Sequence, residues 1–225
     1  RVTESPPPLL SDKPVHADVV TQVVTPVVIL AAGFTFYLVN VPGIQAASDI
    51  IDGYRAQTAG EKLEAFSRAV ERNGFADQEI VEQFTQQALQ VARDQSVTEG
   101  ERQAFVQQAE AALLAMIDEK PGDARLHVFA ANFYRSLNNL EAARTQAARA
   151  QELSPEKPGI IQEQAYVEYQ AGDLRATLDL MQAAYELNPD NWQAQSTYAA
   201  ALVATGAPEE EWRPILASER GERQF

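Results

Sequence analysis

Three prolines, Pro121, Pro155 and Pro189, recur at equal intervals, and each closes a helical pattern: Glu119-Lys120-Pro121, Leu153-Ser154-Pro155, Leu187-Asn188-Pro189. Turn residues recur at a second fixed offset, as Asn138-Asn139-Leu140, Gly172-Asp173-Leu174 and Gly206-Ala207-Pro208. A period of about 34 residues with two turns per unit predicts stacked helix pairs, none of which can bury its apolar face alone. Small residues keep the same phase. Ala143, Ala147 and Ala150 correspond in offset to Thr177, Met181 and Ala184, where close helix contact excludes large side chains. With 45% hydrophobic and 22% charged residues among 225, the chain has the composition of an ordered protein.

With Ala130, Ala131 and Tyr134 in the first helix of one unit and Tyr198 and Ala199 two units on, the chain resembles the tetratricopeptide (TPR) family from Ala124 to about Leu216. The resemblance implies an all-α, TPR-like α-solenoid of antiparallel helix pairs. Unit two departs from the pattern, since Ala165 fits but Gln164 and Glu168 stand where an apolar and an aromatic residue are usual. Unit three offers only part of a second helix, through Trp212 and Ile215, giving a regular array of about two and a half repeats over residues 121–219. Upstream, residues 43–120 read as degenerate pairs. Ile44 to Ala56 and Leu63 to Asn73 form one, with Phe66, Ala69 and Asn73 spaced like Met181, Ala184 and Asn188. Asp77 to Asp94 and Thr98 to Glu119 form the next, and Thr98 with Glu101 spells a capping box.

The charge string breaks from Val19 to Ser48, where 30 consecutive residues lack Asp, Glu, Lys, Arg and His. Residues 19–41, taken as helix at ~1.5 Å per residue, just exceed the ~30 Å hydrocarbon core, so this stretch is expected to cross a bilayer after a loop over residues 1–18. Tyr37 and Asn40, then Pro42 and Gly43, read as the exit at the interface. A cleaved signal peptide or a buried core helix would be the alternatives. Residues 42 to 225 hold 16 basic and 29 acidic residues, which is compatible with a location outside the bacterial inner (plasma) membrane. Beginning at Arg1 and stopping at Phe225 just after a helical start, with residues 220–225 as a truncated end, the chain reads as an excerpt of a longer polypeptide.

The order of these parts, a charge-free span, then Phe36-Tyr37-Leu38-Val39-Asn40-Val41-Pro42-Gly43-Ile44-Gln45-Ala46-Ala47, then degenerate and regular repeats, resembles the C-terminal tail of bacterial O-antigen ligase and polymerase family membrane proteins. That resemblance implies a surface-polysaccharide setting in which glycan transfer is done by an upstream membrane region. No catalytic residue carries over to this segment. A single-pass TPR adaptor and a cytoplasmic TPR scaffold are the competing readings.

A formal charge of -14 argues against nucleic acid as a partner. No cysteine occurs, and His16 and His127 lie far apart, so no metal, cofactor or catalytic set is expected, and His127 reads as a packing residue. Glu209-Glu210-Glu211 opens a helix, where carboxylates favour the helix dipole. What a helical array does offer is a concave face lined by first helices. The groove offsets select Arg125, Val128, Asn132 and Arg135 in unit one, Gln162, Tyr166 and Tyr169 in unit two, and Ser196 in unit three, all expected to be exposed. Arg125 and Arg135 would offer two positive charges to an acidic peptide or terminal carboxylate, while Tyr166 and Tyr169 could stack on a peptide or a sugar ring. The expected partners are therefore a protein or peptide in the groove and the lipid bilayer along residues 19–41, with a glycan contact as a further option.

Overall fold

The computed structural model describes residues 17–72 and 76–222, with side chains through Leu216. Most of the expected leading loop, together with His16, Asn73 and the last three residues, lies outside the described residues. The described residues form ten helices and no strand. The first, α1, runs unbroken over Ala17–Arg55. Its 39 residues span about 58 Å at the α-helical rise, nearly twice a hydrocarbon core.

Two prolines are accommodated in α1 by local bonding. A π-helical turn, Val20–Val24, precedes Pro26, and the Thr25 backbone N–H and hydroxyl both bond the Val20 carbonyl, the hydroxyl at 2.9 Å. Widening the helix there leaves room for the proline ring. Pro42 lies inside the helix, and the chain continues through Pro42-Gly43, the expected exit from the membrane, without leaving the helix. Asn40 donates its side-chain amide to the Phe36 carbonyl at 2.9 Å just before it. The expected helix Ile44 to Ala56 is thus the distal part of the same rod. The apolar window of α1 is 0% buried by the other described residues.

The distal part of α1 packs on α2 (Ala59–Glu71), which starts at a Thr58–Glu61 capping box that the sequence reading passed over. Gly53 makes the approach possible. A Cβ there would come within 2.8 Å of the Phe66 ring, which is wholly buried. Phe66 stacks on Phe84 with centroids 5.6 Å apart, Phe84 meets Phe105 edge-on at 5.5 Å, and Tyr54 meets Phe66 edge-on at 5.7 Å. These four rings link α1, α2, α3 (Asp77–Arg93) and α4 (Glu99–Glu119). Asp49 on α1 adds a buried carboxylate that accepts from Arg68 at 3.2 Å and Arg72 at 2.9 Å. The capping box expected at Thr98 and Glu101 is formed at the start of α4.

Three regular pairs follow: α5 (Ala124–Ser136) with α6 (Leu140–Leu153), α7 (Pro158–Ala171) with α8 (Leu174–Leu187), and α9 (Trp192–Ala204) with α10 (Glu209–Glu222). The last helix is as long as its counterparts, so unit three has a complete second helix rather than the partial one expected, even with Pro214 inside it. The turns between paired helices place Asn138, Gly172 and Gly206 at φ of 61°, 83° and 82°. Only glycine, and asparagine at modest cost, enter this left-handed region readily, which explains their recurrence once per period. Asn139 and Asp173 then cap α6 and α8 with side-chain oxygens.

The small-residue seam is buried throughout, and its register continues one unit further back than the sequence reading placed it. Ala109, Leu113 and Met116 of α4 precede Ala143, Ala147 and Ala150 by one full period and are buried like them. Ala150→Phe should overpack the seam and lower stability by about 1 to 3 kcal/mol in urea denaturation. An unchanged midpoint would refute this packing. Gly53→Leu should likewise force α1 away from Phe66 and expose its buried ring, read as faster proteolysis of the 56–58 connection than in the parent chain.

Candidate functional site

Along the first helices, the expected groove residues fall into rows that step by one period: Val128, Gln162 and Ser196; Asn132 and Tyr166; Arg135 and Tyr169. The first row lies deep. Gln162 is buried, contrary to the expected exposure, Val128 is half-buried, and the Ser196 hydroxyl is spent on the Trp192 carbonyl at 2.6 Å. Asn132 is half-buried. Packing of α7 between its neighbours draws this row inward, which a helical offset alone does not reveal.

The two expected cations are both engaged. Arg125 is exposed but bonds Asp123, the residue that caps its own helix, at 3.0 Å. Arg135 donates to Glu163 on α7 at 2.9 Å, and its guanidinium lies over the Tyr166 ring, 5.8 Å from the centroid. Gln170 donates to the Arg135 carbonyl at 3.1 Å and to the Asn138 side chain at 3.2 Å. The pair of free positive charges anticipated for a carboxylate ligand is therefore replaced by one ion pair at a helix cap and one between units. Changing Arg135 to glutamate would set a carboxylate against Glu163, so it does not probe the groove independently of stability.

Tyr169 remains open, with 58% of its surface exposed. It forms a rim of a cleft of about 250 Å³ between α7, α8 and α9, lined also by Tyr166, Met181, Thr197, Ala200 and Ala204. Sequence offsets brought Tyr166 and Tyr169 to this place and missed the α9 wall, whose run of small residues was the available signal. His127 has the packing role expected of it, held between the Gln146 side chain at 2.7 Å and the Pro121 carbonyl at 3.3 Å. Gln195, two units later, makes the matching bond to the Pro189 carbonyl at 2.7 Å.

Unit two's departure from the family pattern has a physical basis. Tyr134 donates its hydroxyl to Glu110 at 2.8 Å, and one period later Glu168 accepts from Arg144 at 2.7 Å. Both partners have moved by the same interval, so one contact between units is kept while its chemistry changes from a phenol hydrogen bond to an ion pair. In the next unit the same positions are Leu178 and Leu202, which line one shallow cleft. Gln164 has no such compensation, and its buried Oε1 finds no bond among the described residues.

Burial, and then the Glu110 carboxylate, hold the Tyr134 phenol well above the ordinary tyrosine range. A raised folded-state value stabilises fully below the unfolded phenol's ~10 and is lost as pH climbs above it. Tyr134→Phe should therefore lose less stability than the parent between about pH 10 and 11.5, measured by urea midpoints, and equal loss in the two chains would refute the assignment.

No family profile matches the chain, and no curated protein matches it. Among solved structures, the chain is similar to TTC0263, a thermophilic TPR protein in Thermus thermophilus. That match has a TM-score of 0.53 and 21% identity over 64% of this chain and 73% of that one. The MamA protein is similar at a TM-score of 0.52 and 13% identity over 81% of this chain and 96% of that one. At these identities the likeness concerns the fold, and together with the sequence period it shows a TPR-like helical array.

Proposed function

We propose that the chain is a membrane-anchored protein-docking array of the bacterial envelope, fixed in the inner membrane by the proximal part of α1 with its helix pairs on the outer side. The observation that carries this reading is the continuity of α1. An exposed, charge-free apolar helix passes without a break into the helix that packs on Phe66, so one continuous helix joins the anchor to the array. Lipid is the solvent that suits such a surface, because the hydrophobic side chains of Val27 to Val39 meet no described protein side chain that buries them. Docking of a protein partner is supported by the TPR-like fold and by the open first-helix face around Tyr169. The resemblance of the sequence to O-antigen ligase and polymerase tails supplies a surface-polysaccharide setting, in which the array would recruit partners while chemistry occurs elsewhere in the full protein.

The reading is tested in cells with a photo-crosslinking amino acid at Tyr169 and, for comparison, at Gln182 on the second helix of the same pair. A discrete crosslinked product is expected from position 169 and none from 182, in a fraction that resists alkaline extraction. A reporter active only outside the cytoplasm, fused after Phe225, should be active. Extraction of the chain at alkaline pH would remove the anchor, activity of a cytoplasm-only reporter would reverse the direction, and equal crosslinking at both positions would remove the docking face.

A further inference from the structure

The cleft beside Tyr169 has a counterpart inside the same chain, one period earlier, and that counterpart is filled. There Glu163 and Tyr166 pack against Arg135, and Gln170 closes the end of the space by bonding the Arg135 carbonyl. One unit later the three filling positions are Thr197, Ala200 and Ala204, all smaller, and all three line the cleft. The volume left open is thus the space that a tyrosine ring and its polar neighbours occupy in the preceding interface. Its walls are fixed, since Tyr166 is clamped beneath Arg135 and Met181 is buried in the seam.

Charge selects what can enter. Residues 158–216 contain nine acidic and two basic side chains; both bases, Arg175 and Arg213, are paired within their own helices, and with Glu163 and Glu168 taken by Arg135 and Arg144 of the preceding unit the segment still carries an acidic excess. Resting on the docking reading above, we infer that this cleft takes one aromatic side chain from a basic segment of the partner, the incoming ring replacing the one that Ala200 lacks. Phenylalanine and tyrosine suit an apolar floor between Met181 and two tyrosine rings, and flanking lysines or arginines suit the acidic excess of the helices that carry the cleft, whose own lining holds no charge. An aromatic residue bound in a preformed slot gives much contact area at small entropic cost. Trp192 and Leu187, also exposed, lie outside this slot and are not needed for it.

The probe is the fluorescent peptide acetyl-Lys-Lys-Phe-Lys-Lys-amide, titrated at low salt into the whole chain in nanodiscs of uncharged lipid. It should bind at least about tenfold more tightly than the same peptide with alanine for phenylalanine, and the version with glutamates for lysines should not bind. Ala200→Tyr restores the filling of the preceding unit at an exposed position, so it should lower the affinity for the phenylalanine peptide about tenfold, to that of the alanine peptide, with the thermal midpoint unchanged. Ala200→Ser, which leaves the cleft open, should bind as the parent does. Equal affinity for the phenylalanine and alanine peptides, or undiminished binding by Ala200→Tyr, would overturn the inference. So would a dimer of the parent chain that Ala200→Tyr abolishes, because the occupant would then be a second copy. If the peptide fails while position 169 still crosslinks a partner, docking stands without this slot; if both fail, the docking reading falls too.

Discussion

How closely two helices can approach sets the geometry of the whole array, and small buried residues set that distance. Ala109, Ala143 and Thr177 occupy one such position, and Ala150 and Ala184 another, each series stepping by one period. A helix seated against a small side chain has little freedom to translate or rotate without losing contact. Repetition of that constraint carries α5, α7 and α9 into equivalent places. Their outward rows then line up, and a cleft between them becomes a property of which side chains stand in those rows.

At the other end, a different close contact joins the array to α1. Gly53 admits the Phe66 ring, and from it the aromatic contacts pass through Phe84 to Phe105. Helix α1 therefore cannot swing relative to the first pairs without breaking packed ring contacts and the ion pairs of Asp49. Under the anchoring reading proposed above, an array joined by a packed helix rather than a flexible linker would lose less orientational entropy on docking.

Between units, the backbone arrangement tolerates different chemistry at one site. The contact made by Tyr134 and Glu110 becomes an ion pair between Glu168 and Arg144, and then the apolar positions Leu202 and Leu178. Such exchange explains why a unit can lose the family's aromatic residue and keep its place in the stack. The same tolerance lets one interface be filled by Arg135, Glu163 and Tyr166 while the next stays open beside Ala200.

The sequence by itself determined the period, the left-handed turns at Asn138, Gly172 and Gly206, the small-residue seam and the apolar run, because each depends on local conformation or on residue size repeated at fixed spacing. It also brought Tyr166 and Tyr169 to one face. Tertiary structure decided the rest. Whether Pro42 ends a helix depends on the bonds its neighbours find, and the role of Gly53 depends on a ring in the following helix that only packing brings within reach. The charges of Arg125 and Arg135 were countable from the sequence, but their availability was not, since Glu163 lies 28 residues from the arginine it neutralises. Gln162 is buried for the same reason, that exposure is fixed by what packs over a helix as well as by the offset along it.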